Sequence, residues 1–168
     1  LQQRILERRG DFLLFALTPP RDATSAARAQ EIADITAKRL HELDLDGLVL
    51  YDIDDESDRN PEERPFPFLP TMDPAEYLSR HLEGWNIPTV VYRAVGKHGE
   101  SELRSWLSNQ EPDRVLTVFV GAASRNTPVA TSLPRALELR AEAAPDLLLG
   151  GVAIPERHTR TGEEHLRM

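Results

Sequence analysis

The chain has no cysteine, which excludes a disulfide framework, a thiolate nucleophile and a zinc–thiolate site, and leaves no argument for an oxidising compartment. It is also short of positive charge. Its 20 basic residues stand against 28 acidic ones, a net charge of −8, and no basic stripe runs along the sequence. Nucleic-acid and anionic-membrane binding are both driven by clustered Lys and Arg, so neither partner is expected. No apolar run approaches the roughly 20 residues of a membrane span, and Leu1 to Arg9 is too charged to form the apolar core of a signal peptide. A cytoplasmic protein is the expectation.

What the chain has instead is five apolar runs, Phe12 to Leu17, Gly47 to Ile53, Thr89 to Val95, Val115 to Ala122 and Leu147 to Ile154, separated by segments with helical apolar spacing. Continuous apolar strands mark a parallel sheet buried on both faces. The order βαβαβαβαβ with right-handed crossovers predicts an α/β architecture of the (β/α)8 TIM-barrel type, present here in part. A closed barrel takes about 250 residues. Residues 1–168 are therefore expected to form one barrel-type domain, incomplete at its carboxyl end. The opening on Leu1 and the stop at Met168, within a helix start carrying Glu163, Glu164 and Leu166, fit a piece of a longer polypeptide or a half-barrel that associates with another chain. An open, doubly wound sheet of the same five strands is the alternative.

Helix signals fall between the runs. Thr24 or Ser25 caps a helix that ends before Asp46, and Asp73, Pro74 and Glu76 supply a cap, a first-turn proline and a capping-box acid for a helix to about Trp85. Further helices are expected from Glu100 to Asn109 and from Ser132 through Ala143. The stretch Asp54 to Met72, with four prolines, is longer than a minimal connection and is a candidate functional loop.

Chemistry in such a fold is sought where strands run out into loops. After the first strand, Thr18-Pro19-Pro20-Arg21 offers a rigid turn and a guanidinium suited to a carboxylate or phosphate. At the second, Asp52 meets the loop at the barrel mouth, followed by Asp54, Asp55, Glu56 and Asp58, an oxygen-rich set whose spacing matches no defined metal loop. Tyr92, Arg93, Lys97 and His98 lie at or beyond the third strand's end, and His98 in its loop is read as solvated. Gly121, at the end of the fourth, lets a flat ligand approach the backbone. Beyond the fifth, Pro155-Glu156-Arg157-His158 sets an imidazole beside an acid, able to donate a hydrogen bond, move a proton or touch a cofactor.

Taken together, Phe15-Ala16-Leu17-Thr18-Pro19-Pro20-Arg21 and Gly151-Val152-Ala153-Ile154-Pro155-Glu156-Arg157-His158 resemble the methylenetetrahydrofolate reductase family, whose first strand ends in F-E-hydrophobic-x-P-P-R and a later one in Y-P-E-x-H. The resemblance spans the whole chain and about five units of the family's barrel. It implies a flavin-dependent barrel that reduces methylenetetrahydrofolate with NAD(P)H, the FAD lying across the carboxyl ends of the strands. By position, the resemblance makes His158 a cofactor-contacting histidine, places Glu164 by the FAD ribose or adenine, and puts Tyr51 and Asp52 near the strand-two contacts. Arg21, Pro19 and Pro20 match the signature directly.

Three positions depart from it. Ala16 stands where the family has a proton-donating glutamate, Ala122 where an acid follows Gly121, and Ile154 where the tyrosine precedes Pro-Glu-x-His. A methyl group transfers no proton, and loss of a general acid costs about two to four orders of magnitude in rate. The resemblance thus implies an oxidoreductase of one-carbon metabolism using FAD, NAD(P)H and a folate substrate, with Asp52, Glu156 or His158 as proton donor and Tyr51, Arg21, Gly121, His158 and Glu164 around the cofactor. The alternative is a divergent, catalytically silent paralogue that binds a folate or nucleotide, or that pairs with a second chain or copy of itself. A Mg²⁺-dependent lyase or phosphotransfer barrel built on Asp52 ranks third.

Overall fold

The computed structural model describes residues 1–53, 70–121 and 128–152. Five strands, β1 (Leu14–Leu17), β2 (Gly47–Leu50), β3 (Thr89–Ala94), β4 (Val115–Val120) and β5 (Leu149–Gly150), form one sheet in the order β1-β2-β3-β4-β5. Every pairing is parallel. The helices are α1 (Gln2–Leu6), α2 (Ala26–Leu40), α3 (Pro74–His81), α4 (Glu100–Ser108) and α5 (Leu133–Ala143).

Capping chemistry explains where three helices begin. Ser25 and Ser132 accept from the backbone N–H groups of Arg28 and Arg135. Asp73 Oδ1 accepts from Ala75 N at 2.8 Å and Glu76 N at 3.0 Å, with Pro74 in the first turn where its missing N–H costs nothing. The expected helix to Trp85 stops at His81 instead, because a turn bonding Trp85 N to Leu82 O folds the indole back into the core.

Strand register sorts side chains onto two faces. Leu48 and Leu50 pack with Ala33 and Leu40 of α2 and Tyr77 of α3, while Val91, Val115 and Phe119 pack with Leu103 and Leu107 of α4 and Ala136 and Leu139 of α5. On the opposite, inner face, Val49, Val90, Leu116 and Val118 cluster with Leu14, Tyr92 and Val120, and Leu1 and Ile5 of α1 pack against this cluster. Burial on both sides is why the strands read as unbroken apolar runs. Gly47 is required there: a Cβ would lie 2.9 Å from Leu1 Cδ2 and from the Pro88 carbonyl.

The connecting helices α2 to α5 all pack on one face, and the strand order never reverses. A doubly wound sheet has helices on both faces and a reversal of strand order, so that alternative is overturned. The barrel expectation holds as an α/β layer of five parallel strands; among the described residues the sheet is not closed, and β1 and β5 each pair on one side only.

Candidate functional site

The carboxyl ends of the strands carry six of the residues singled out in the sequence, Arg21, Tyr51, Asp52, Tyr92, Lys97 and Gly121. Tyr51 follows β2 and meets Tyr92 of β3 edge-on, with ring centroids 4.8 Å apart and planes at 66°. Tyr92 lies on the inner face, and Tyr51 keeps 37% of its surface exposed. Burial, and then proximity to Tyr51, push the Tyr92 hydroxyl above its ordinary pKa. Ala16 pairs in register with Val49 and therefore sits on the same inner face, exposed, one residue short of the end of β1.

The diproline loop is tied to the stretch that precedes α3. Met72 N donates to Pro20 O at 2.9 Å and Asp22 N to Pro70 O at 3.1 Å, an isolated antiparallel bridge that places Arg21 opposite Thr71. Thr71 is in turn linked to Ile53, through Oγ1 and through its own N–H. Arg21 is exposed, and its side chain has no ion pair among the described residues. Among the described residues nothing lies within 4 Å of where a Gly121 Cβ would be.

Asp52 is placed differently from a free proton donor. Its side chain is 1% exposed, its Oδ2 accepts from Ala94 N at 2.7 Å and its Oδ1 from Lys97 Nζ at 2.6 Å. Lys97 also donates to Ile53 O at 3.0 Å. The carboxylate thus clips the exit of β2 to the end of β3 and to the 3-10 turn Val95–Lys97. Lys97 was missed as its partner; the signal was a basic residue just beyond the neighbouring parallel strand.

Two residues expected at the rim lie elsewhere. Arg93 points to the helix side, since strand alternation puts it with Val91, and it is 2% exposed. Its guanidinium holds Asp73 through both carboxylate oxygens, at 2.7 and 2.6 Å, and lies under the Trp106 ring, 4.6 Å from the centroid. Burial opposes the charge on Asp73, but the Arg93 cation and the Glu76 N–H outweigh it and hold the carboxyl below its ordinary range. His98, expected in solvent, is 6% exposed; its Nδ1 is 2.8 Å from Glu102 Oε1 and its carbonyl accepts from Thr131 Oγ1. Here the loop after β3 folds under α4 and α5 instead of projecting outward.

Glu156, His158 and Glu164 lie outside the described residues, as do Asp54, Asp55, Glu56, Asp58, Ala122 and Ile154. Among the described residues no group of three or more His, Asp or Glu side chains is set to hold a metal ion, and no helix is long and apolar enough to cross a membrane. What the rim does offer is an aromatic ledge, a cation on a braced loop and open backbone, a surface for gripping a flat ligand with a carboxylate.

The fold is that of an α/β protein whose five parallel strands form one singly wound sheet, with Tyr51, Tyr92, Arg21 and Gly121 at or beyond their carboxyl ends. No protein-family model and no curated protein matches the chain. Among solved structures, it is similar to an uncharacterized protein from Clostridium thermocellum that binds two copies of 5-methyl-5,6,7,8-tetrahydrofolic acid, at 37% sequence identity and a TM-score of 0.76. The match covers 99% of this chain and 52% of that one, so the chain spans about half the length of its structural neighbour.

Proposed function

We propose that this chain binds a reduced folate at the carboxyl rim of its sheet, and that it does so as a folate-binding relative of methylenetetrahydrofolate reductase-type barrels and not as a reductase. The observation that carries the proposal is 37% identity, over nearly the whole chain, to a protein that binds methyltetrahydrofolate. Two features of the rim favour binding over reduction. Ala16 occupies the inner-face position where the reductase signature has its acid. Asp52, the nearest substitute, has one oxygen engaged by an amide and the other by an ammonium.

In this reading the Tyr51–Tyr92 pair supplies an apolar ledge for the pterin, Gly121 lets the ring approach the backbone, and Arg21 pairs with a carboxylate of the glutamate tail. Asp52 and Lys97 position the ledge. Glu156, His158 and Glu164 are assigned to the same rim through the family signature.

The five strands are proposed as the first five of an eight-stranded barrel in a cytoplasmic protein. Support comes from the unreversed strand order and from α1 packing on the inner face. Apolar residues lie unpartnered at both ends of the sheet: Leu13 and Phe15 at β1, Leu133 and Leu137 on α5, where further β/α units would pack.

Calorimetric titration with 5-methyltetrahydrofolate tests the proposal, with saturable binding as the expected result. NADH or NADPH consumption with methylenetetrahydrofolate is expected to stay at background, in the native chain and in Ala16→Glu alike. Absence of binding would overturn the folate assignment, and a large gain of turnover in Ala16→Glu would mark a decayed reductase.

A further inference from the structure

The helices on the outer face are unevenly spaced. α2 packs on α3 and α4 on α5, whereas α3 and α4 stand apart around β3 and leave a cleft of about 860 Å³ between them. That is within the range of about 300–1,000 Å³ typical of small-molecule sites. Ala75 and Leu78 form one wall, Trp106 the other, and Val91 and Arg93 the floor.

The floor holds two polar atoms without partners among the described residues, Arg93 Nε and His98 Nε2, on side chains at least nine-tenths buried. Their chemistry is complementary. Glu102 carboxylate only accepts, so the 2.8 Å contact puts the proton of a neutral His98 on Nδ1 and leaves Nε2 an acceptor. The Arg93 Nη2 contact to the same Nδ1, at 3.3 Å, then has no lone pair to receive it. Nε2 faces Asp73 Oδ2 at 3.7 Å, two acceptors with a donor wanting between them, while Arg93 Nε is a donor wanting an acceptor. Buried polar atoms left this way destabilise the fold until a partner satisfies them.

We propose that the α3–α4 cleft is a second folate site, separate from the rim. A pterin presents an N–H and a carbonyl side by side, the pattern that His98 Nε2 and Arg93 Nε require. Trp106, partly buried over the guanidinium, turns into the adjoining cleft to admit the ring and stacks on it. Arg80, exposed at the mouth, meets the carboxylates of the tail. The inference rests on the folate assignment, and its test separates the two.

Equilibrium dialysis against 5-methyltetrahydrofolate is run on the native chain, on Ser105→Trp, which fills the cleft from the exposed surface of α4, and on Tyr51→Ala, which removes the rim ledge; circular dichroism checks that each is folded. The native chain is expected to bind two molecules, Ser105→Trp one and Tyr51→Ala one. Binding of a single molecule that Ser105→Trp abolishes would also support the cleft, at the expense of the rim. Ser105→Trp retaining the native stoichiometry, whether one or two, would overturn the cleft and leave folate binding intact. No binding by any of the three proteins would overturn both.

Discussion

Lys97 and Asp52 lie 2.6 Å apart across the ends of two neighbouring strands, and Asp52 is the buried member of the pair. The relationship converts an acid that the sequence advertises as a proton donor into a brace, because both of its oxygens are already engaged, one by an ammonium and the other by a backbone amide.

Asp52→Asn leaves the ammonium facing an amide and is expected to lower stability by about 1.5–3 kcal/mol, the range for hydrogen bonds to charged groups. Lys97→Met strands the buried carboxylate and is expected to cost at least as much. The double variant should lose less than the sum of the two, a coupling that urea denaturation of all four proteins measures. Additive losses would show that the two groups do not depend on each other.

Asp73 makes folding sensitive to acid. Its folded pKa lies below the ordinary 3.8, so its contribution is complete above that value and is lost as pH falls from there through the depressed folded value. Melting temperature is expected to drop over this acidic window more steeply in the native chain than in Asp73→Asn, which keeps the helix cap without the charge. Parallel curves for the two proteins would remove Asp73 from the account.

Tyr92 reports on the rim. Its pKa is raised above 10.0, as is that of the buried Tyr77, so tyrosinate absorbance should show a component titrating above the ordinary range that shrinks in Tyr92→Phe and keeps the Tyr77 share. The neutral phenol is favoured in the fold, so this group's contribution is complete below 10.0 and fades as pH rises through the raised value. Tyr51→Ala is expected to lower that component by letting water reach the ring.

Leu133 and Leu137 stand one turn apart on α5 and are 39% and 45% exposed. Paired exposure of this kind favours association. Sedimentation of the chain is expected to depend on concentration, and Leu133→Glu with Leu137→Glu to shift it toward the monomer without loss of helicity. Unchanged sedimentation would mean that this face is not sticky.

The strand pattern was legible because each strand is buried on both faces, and Ser25, Asp73 and Ser132 announced their helices through chemistry confined to a few neighbouring residues. Element ends were less so: α2 stops at Leu40 and α3 at His81, short of where their apolar spacing runs out, because tertiary packing and not periodicity ends a helix. At the site, Arg21 and Gly121 were singled out from their places after a strand and Tyr51 through the family resemblance, and all three fall at the carboxyl ends of the strands because each directly follows, or lies in the loop after, a strand of the sheet. Arg93 and His98 were misplaced for opposite reasons. Arg93 was grouped with the residues at the strand's carboxyl end although alternation with Val91 already turned it to the helices, and His98 was counted into solvent although only the packing of α4 and α5 could show it buried. The partnership of Asp52 with Lys97 depends on two strands meeting in register, which no local pattern records.

The stitch between Arg21 and Thr71 joins two segments that lie fifty residues apart in the chain and fastens both to the exit of β2. A guanidinium mounted on such a doubly anchored turn surrenders little freedom when it closes on an anion, so the cost of ordering the backbone has been met during folding and not at the moment of encounter. Lengthening either segment by a residue would loosen the other, and the first effect would be felt in where the turn carries Arg21.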